Sequence, residues 1–150
     1  MSYVYMKVLE SAPKRYDRGV SVLTLKQLKK IQQKIVEICV HPGAKVLDIG
    51  CGTGSLAVMA AHKGATVVGI DISPEMLDIA NEKIVANKVQ EKVKLLRMGA
   101  VEMDRAFERD SFDTIVSTLT FSEFSEDEVD YVIKQCHRVL KKELDPASPF

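Results

Sequence analysis

What the sequence lacks narrows its class first. Cysteine is sparse: Cys39, Cys51 and Cys136 are three in 150 residues, odd in number and far apart. They form neither a disulfide framework nor a CxxC metal or redox pair, which fits a reducing cytoplasm. Neither charge is in excess, with Lys+Arg 21 against Asp+Glu 21, so no global field draws the chain to nucleic acid or an anionic membrane. Apolar runs stop at strand length, which excludes a transmembrane helix. Met1 to Gly19 carries Lys7, Glu10, Lys14, Arg15, Asp17 and Arg18 and no apolar h-region, so no secretory signal is expected. Residues 1–40 hold eight basic and three acidic residues, a net of +5, but without the aromatic interleaving of a nucleic-acid surface. Repeats and low-complexity tracts are absent. With 46% apolar and 28% charged residues, the profile is that of one soluble globular domain.

Periodicity then gives the order of elements. Residues 1–22, with the breakers Pro13 and Gly19, read as an N-terminal arm or lid ahead of a domain at 23–150. From Leu23 to Val40 the apolar Leu25, Leu28, Ile31, Ile35 and Ile38 recur at three and four, the inner stripe of an amphipathic helix. His41-Pro42-Gly43 stops it. Lys45–Ile49 is a β-type run, and a small-residue helix from Ser55 to about Lys63 is closed by Gly64. Thr66–Ile70, nearly continuously apolar, suits a strand covered on both faces and ended by Asp71. Ser73-Pro74-Glu75 opens a helix to about Asn87. Val93–Met98 and Phe112–Thr120 read as third and fourth strands joined by a loop. A last helix runs from Glu126 to about Lys141, with Glu126, Asp127, Glu128 and Asp130 at its start and Lys134, Arg138, Lys141 and Lys142 toward its end. Those charges complement the helix dipole, so the acidic run reads as a solvated helix start and not a metal site. Alternating helices and strands mean a Rossmann-like α/β fold, an open and mainly parallel sheet with helices on both faces.

Chemistry concentrates in Val46-Leu47-Asp48-Ile49-Gly50-Cys51-Gly52-Thr53-Gly54. A buried strand delivers the chain into a turn where glycines permit positive φ and leave no Cβ in a ligand's way. The following helix begins there with unpaired N–H groups, a seat for a carboxylate. Asp71, seventeen residues beyond Gly54, closes the neighbouring strand, and both points fall at the carboxyl ends of adjacent strands, where open α/β sheets bind ligands. An acceptor-only carboxylate there can take both hydroxyls of a ribose. A dinucleotide site, and with it a nucleotide-dependent oxidoreductase, is the nearest rival. Its G-x-G-x-x-G fingerprint would place the third glycine at 55, where Ser55 stands.

In these segments the sequence resembles the class I S-adenosylmethionine-dependent methyltransferases. VLDIGCGTG is similar to their glycine-rich first motif, GIDISPEML to their second-strand signature, RDSFDTIVSTLTF to their strand-4 segment, and CHRVLKK to the helix end before their fifth strand. The likeness runs from about residue 30 to 142, and the small-molecule branch of ubiquinone/menaquinone and corrinoid biosynthesis looks nearest. The resemblance implies that Asp48 with Gly50, Cys51, Gly52, Thr53 and Gly54 holds the methionine part of the cofactor and that Asp71 binds the ribose diol. It implies that Ile72 packs on adenine, that Gly99, Ala100 and Val101 meet its amino edge, and that Ser117, Thr118 and Leu119 line the far side. Many relatives read Gly-Asp-Ala where this chain reads Met98-Gly99-Ala100, so the acidic residue that usually accepts from the adenine amine is replaced by Gly99. Losing one such bond costs roughly 1 kcal/mol.

The reaction implied is direct displacement of the sulfonium methyl by a small-molecule acceptor. The leaving group is already activated, so alignment matters more than an acid/base pair, and no catalytic residue is legible. Thr118-Leu119-Thr120-Phe121 stands where nucleic-acid amino methyltransferases carry Asp/Asn-Pro-Pro-aromatic. Tyr5 and Tyr16 fall in the arm that relatives fold over the cofactor. Cys51 reads as a small packed residue, and His41, His62 and His137, near helix ends, lack metal-ligand spacing. The family's sheet has seven strands in the order 3-2-1-4-5-7-6; four are expected here, in the order 3-2-1-4, without strands 5–7. Strand 4 would then be an exposed edge, which a second copy of the chain or a partner is expected to cover. The alternative function is a non-catalytic S-adenosylmethionine or S-adenosylhomocysteine binding module completed by a partner.

Overall fold

The computed structural model describes residues 26–118 and 120–142. Its elements are α1 (Lys26–Cys39), β1 (Lys45–Ile49), α2 (Ser55–His62), β2 (Thr66–Asp71), α3 (Pro74–Ala86), β3 (Val93–Arg97), the short α4 (Met103–Ala106), β4 (Thr114–Ser117) and α5 (Glu126–Val139). The arm expected at residues 1–22 and the site residue Leu119 lie outside the described residues. The four strands form one parallel sheet, as the alternation of periods implies, in the order β3-β2-β1-β4 that the family resemblance implies.

Strand alternation sorts the core onto the two faces of the sheet. Val46, Val67, Val93 and Val116 pack with α1, α2 and α3 through Val36, Leu56, Ala60 and Ile84. Leu47, Ile49 and Ile70 pack on the opposite face with Met103, Phe112, Val132 and Val139. The central strand β1 is therefore buried on both faces, which is why it reads as a continuous apolar run. Asp48 is its exception.

Helix ends carry their own instructions. The Ser73 hydroxyl accepts from the Met76 N–H at 3.2 Å with Pro74 at the first helical position. Ser125 and Glu128 cap the start of α5 reciprocally, Ser125 N–H to Glu128 Oε2 at 2.8 Å and Glu128 N–H to Ser125 Oγ at 3.3 Å. Gly64 stops α2 at φ 100°.

Three local expectations are corrected. On α1 the stripe is turned: Gln32 and Val36 are buried, whereas Ile31 and Ile38 are 54% and 62% exposed. The helix carries two overlapping stripes, and tertiary contact with α2 chooses between them. Lys63 clamps the chosen one, donating to the carbonyls of Val36 and Glu37 at 2.9 and 2.7 Å. Strand β4 is shorter than its apolar run because Phe112 makes a separate parallel bridge to Leu140 and Thr120 turns back toward β1. The segment before β4, read as loop, contains a 3-10 turn (Ala100–Glu102) and α4. No helix among the described residues is long and apolar enough to cross a membrane.

Candidate functional site

At the carboxyl end of β1 the chain enters a turn in which Gly50, Gly52 and Gly54 adopt φ 67°, 53° and 76°. The three have different reasons to be glycine. A Cβ on Gly50 would stand 1.8 Å from Thr120 Oγ1, and one on Gly54 3.0 Å from the Ala80 Cβ, so these two sit under neighbouring chain. A Cβ on Gly52 would meet nothing within 4 Å, so Gly52 faces the open crevice. Gly54 caps α2 in a left-handed conformation without a side-chain acceptor, which leaves first-turn N–H groups of an eight-residue helix beside the crevice.

Two carboxylates serve this turn in different ways. Asp71, half-buried at the end of β2, accepts from the Gly52 N–H at 2.8 Å through Oδ2 and from the Ser73 N–H at 2.9 Å through Oδ1. Each carboxylate oxygen keeps a further lone pair for a ligand hydroxyl. Asp48 lies one layer below, in register with Gly69 of β2 and Val116 of β4. It is 1% exposed, and among the described residues neither of its side-chain oxygens has a hydrogen-bond partner. Burial, and secondarily the negative charge of Asp71, pushes its carboxyl up to about 7. An orphaned buried carboxylate is costly, and a cationic donor in the crevice would relieve it.

The stability consequence has a definite sign. The native state keeps on Asp48 a proton that the unfolded chain, with a carboxyl near 3.8, has already lost. Stability from this group is therefore complete below 3.8 and is lost as pH rises to about 7. Asp48→Asn removes the dependence. Urea denaturation at two pH values should show the wild type losing roughly 2–3 kcal/mol more than the variant between about pH 5 and pH 8; parallel behaviour would refute the assignment.

The same burial, with Asp48 and Asp71 negative beside it, pushes the Cys51 thiol upward, so it packs over Gly69 as a thiol and offers no thiolate nucleophile. Beyond β2, Ile72 is 69% exposed and Val101 42% exposed, and both approach Gly99: a Cβ there would be 3.6 and 3.8 Å from their Cγ2 atoms. Ala100 is buried behind them. On the β4 side, Ser117 Oγ donates to the Ile49 carbonyl at 2.9 Å and Thr120 Oγ1 to the same oxygen at 3.3 Å. The strand 4 residues thus fasten the turn as well as bordering it, with Thr118 half-buried between them.

Asp71, Gly52, Thr53 and the start of α2 are brought together at one crevice, with Ile72, Gly99 and Val101 to one side and Ser117 and Thr118 to the other. Asp48 and Cys51 lie beneath the turn. Sequence reasoning missed three residues. Lys83 of α3 donates to Thr53 Oγ1 at 3.1 Å and Ser55 Oγ at 2.8 Å, bracing the turn from behind. Thr120 closes over Gly50, and Glu102 accepts from the Gly99 N–H at 2.7 Å. For Lys83 the only available signal was a cation on an otherwise inward-facing turn of α3, level with Ala80 and Ile84. The pair Gly99 and Glu102 has the N-cap to N3 spacing of a capping box, which was legible.

Comparison with known proteins bears on the family and the fold. The family described as a methyltransferase domain matches residues 46–143. Demethylmenaquinone methyltransferase of Staphylococcus aureus (strain MRSA252) is 32% identical over 139 residues, spanning 90% of this chain and 55% of that protein. The chain thus spans about half the length of the curated relatives it matches. Among solved structures, a Methanococcus maripaludis protein provisionally described as an S-adenosyl-L-methionine-dependent methyltransferase superposes with TM-score 0.75 at 20% identity, covering 89% of this chain and 59% of that one. A geranyl diphosphate methyltransferase in complex with S-adenosylmethionine gives TM-score 0.67 at 21% identity, covering 78% and 47%. At such identities these two likenesses speak to the fold.

Proposed function

Since the chain belongs to the class I S-adenosylmethionine-dependent methyltransferase family, we propose that it passes the cofactor's methyl group to a small-molecule acceptor by direct displacement. The observation that carries this reading is the pairing of Asp71 with the open Gly52 turn above the orphaned carboxylate of Asp48. S-Adenosylmethionine supplies an electrophilic methyl on a cationic sulfur. The residues fit such a molecule. Asp71 has lone pairs for a ribose diol, the turn and the start of α2 offer N–H groups to an amino-acid carboxylate, and Asp48, with its carboxyl pushed up to about 7, is a group whose ionised form a cationic ligand favours. Burial strengthens that last attraction, because charges interact more strongly out of water.

The acceptor's own nucleophilicity then suffices, and the protein's task is alignment and exclusion of water. The relatives' named substrate supports a small, ring-containing acceptor, and demethylmenaquinone is the first compound to try. A second reading, a cofactor-binding module that needs another chain, is favoured by β4, which among the described residues pairs in the sheet only with β1. A second copy covering that edge would complete it.

Calorimetric titration with S-adenosylhomocysteine and with NAD tests the first reading. Binding of the former alone is expected, and preference for NAD would discard it. Incubation with methyl-labelled cofactor and demethylmenaquinone or a metabolite extract then separates the two. Transfer of label supports the enzyme, whereas binding without any transfer supports the module.

A further inference from the structure

The segment after β3 holds an arrangement that the family's usual residues do not explain. Gly99 has φ −84°, a conformation open to any residue, so backbone geometry does not demand glycine there. The space a side chain would take is bordered by three groups. Ile72 Cγ2 and Val101 Cγ2 lie 3.6 and 3.8 Å from the position of the missing Cβ, and Glu102 Oε2 lies 3.5 Å from it. Ile72 and Val101 are exposed despite being apolar and β-branched, and exposed apolar side chains facing one notch suit the faces of a planar ring.

Glu102 gives that notch a polar rim. Its Oε2 accepts the Gly99 N–H at 2.7 Å, which fixes the carboxylate in place, and its Oε1 accepts no hydrogen bond among the described residues. A carboxylate is acceptor-only. It rewards a ring that donates an N–H at this edge and penalises one that presents a carbonyl. We infer that Glu102 is the acceptor for the exocyclic amine of the cofactor's adenine, with Ile72 and Val101 against the ring in the side-chain-free notch at Gly99. The inference rests on the cofactor reading above. A carboxylate from three residues downstream does the work of one that residue 99 does not carry.

The test compares adenine with hypoxanthine. The full chain is titrated calorimetrically with S-adenosylhomocysteine and with S-inosylhomocysteine, in which a carbonyl replaces the amine. The wild type should prefer the adenosyl ligand by about tenfold or more. Glu102→Gln keeps an acceptor for the Gly99 N–H but can donate to a carbonyl, so the preference should collapse or reverse. Glu102→Ala should lose it, and adding Gly99→Asp to that variant should return it. Circular dichroism reports on folding. If Glu102→Ala is unfolded, Glu102→Gln decides the matter alone. Equal weakening of both ligands by Glu102→Gln, with their ratio unchanged, would mean a purely structural cap and overturn the inference. Wild-type binding of S-adenosylhomocysteine without discrimination overturns it too, and leaves the cofactor reading intact. Failure of the wild type to bind either ligand overturns both.

Discussion

Asp71→Ala lowers the affinity for S-adenosylhomocysteine by a factor of roughly 30 to 1000, the largest effect expected from a single side chain in the crevice. Two hydrogen bonds from a ribose diol to a charged acceptor are lost, together worth about 2–4 kcal/mol after competition with water. The same substitution frees the Gly52 and Ser73 N–H groups that Asp71 now holds at 2.8 and 2.9 Å, so part of the loss comes from a loosened turn. Both groups lie near solvent, where water can replace the carboxylate at modest cost. Asp71 ends β2 half-buried and its side chain belongs to neither core cluster, so the sheet should keep its circular dichroism. Calorimetric titration of a folded variant within twofold of wild-type affinity would remove the ribose role from Asp71.

Gly50→Ala should act on the fold itself. The new Cβ would stand 1.8 Å from Thr120 Oγ1 and 2.8 Å from Thr120 Cβ, so the segment leaving β4 has to move. The residue would also be held at φ 67°, a left-handed conformation that costs an L-residue about 1–2 kcal/mol. Displacing Thr120 breaks its hydrogen bond to the Ile49 carbonyl. Together these should reduce stability by about 3 kcal/mol or more. Gly52→Ala is the internal control: it meets nothing within 4 Å and carries the backbone penalty alone. Combining Gly50→Ala with Thr120→Ala should recover the steric part. Equal denaturation midpoints for the Gly50 and Gly52 variants would contradict the packing described here.

The distinction between these glycines marks the limit of what was legible. The sequence spells a tight turn after a strand, and three glycines so close together state that φ must turn positive. It cannot say which of them lies under Thr120, because that depends on how β4, more than sixty residues away, returns beside β1. The succession of strands and helices, and with it the convergence of Asp71 on the turn, was readable because each strand alternates or runs apolar and the first two crossovers are helices; the order of the strands in the sheet came from the family resemblance. Asp48 was visible as a carboxylate inside a strand, but its isolation was not, since burial is a tertiary property. On α1 the periodic positions Ile31 and Ile38 pointed to one face and Gln32 to another. Packing on α2 placed the glutamine inward, which no single-helix pattern weighs. Lys83 was unreadable as a site residue for a related reason, since a charged side chain on a helix ordinarily ends in water; the Glu102 capping box could be read from its spacing, but not its place beside the crevice.

Asp71 holds the Gly52 and Ser73 amides through hydrogen bonds internal to the chain. The cradle is thus rigid in advance, and association does not have to freeze a floppy segment, a step that commonly consumes much of the contact energy in recognition. Each new contact to a nucleoside can appear almost undiminished in the dissociation constant. On this account the turn loses little further freedom when a small charged molecule settles on it.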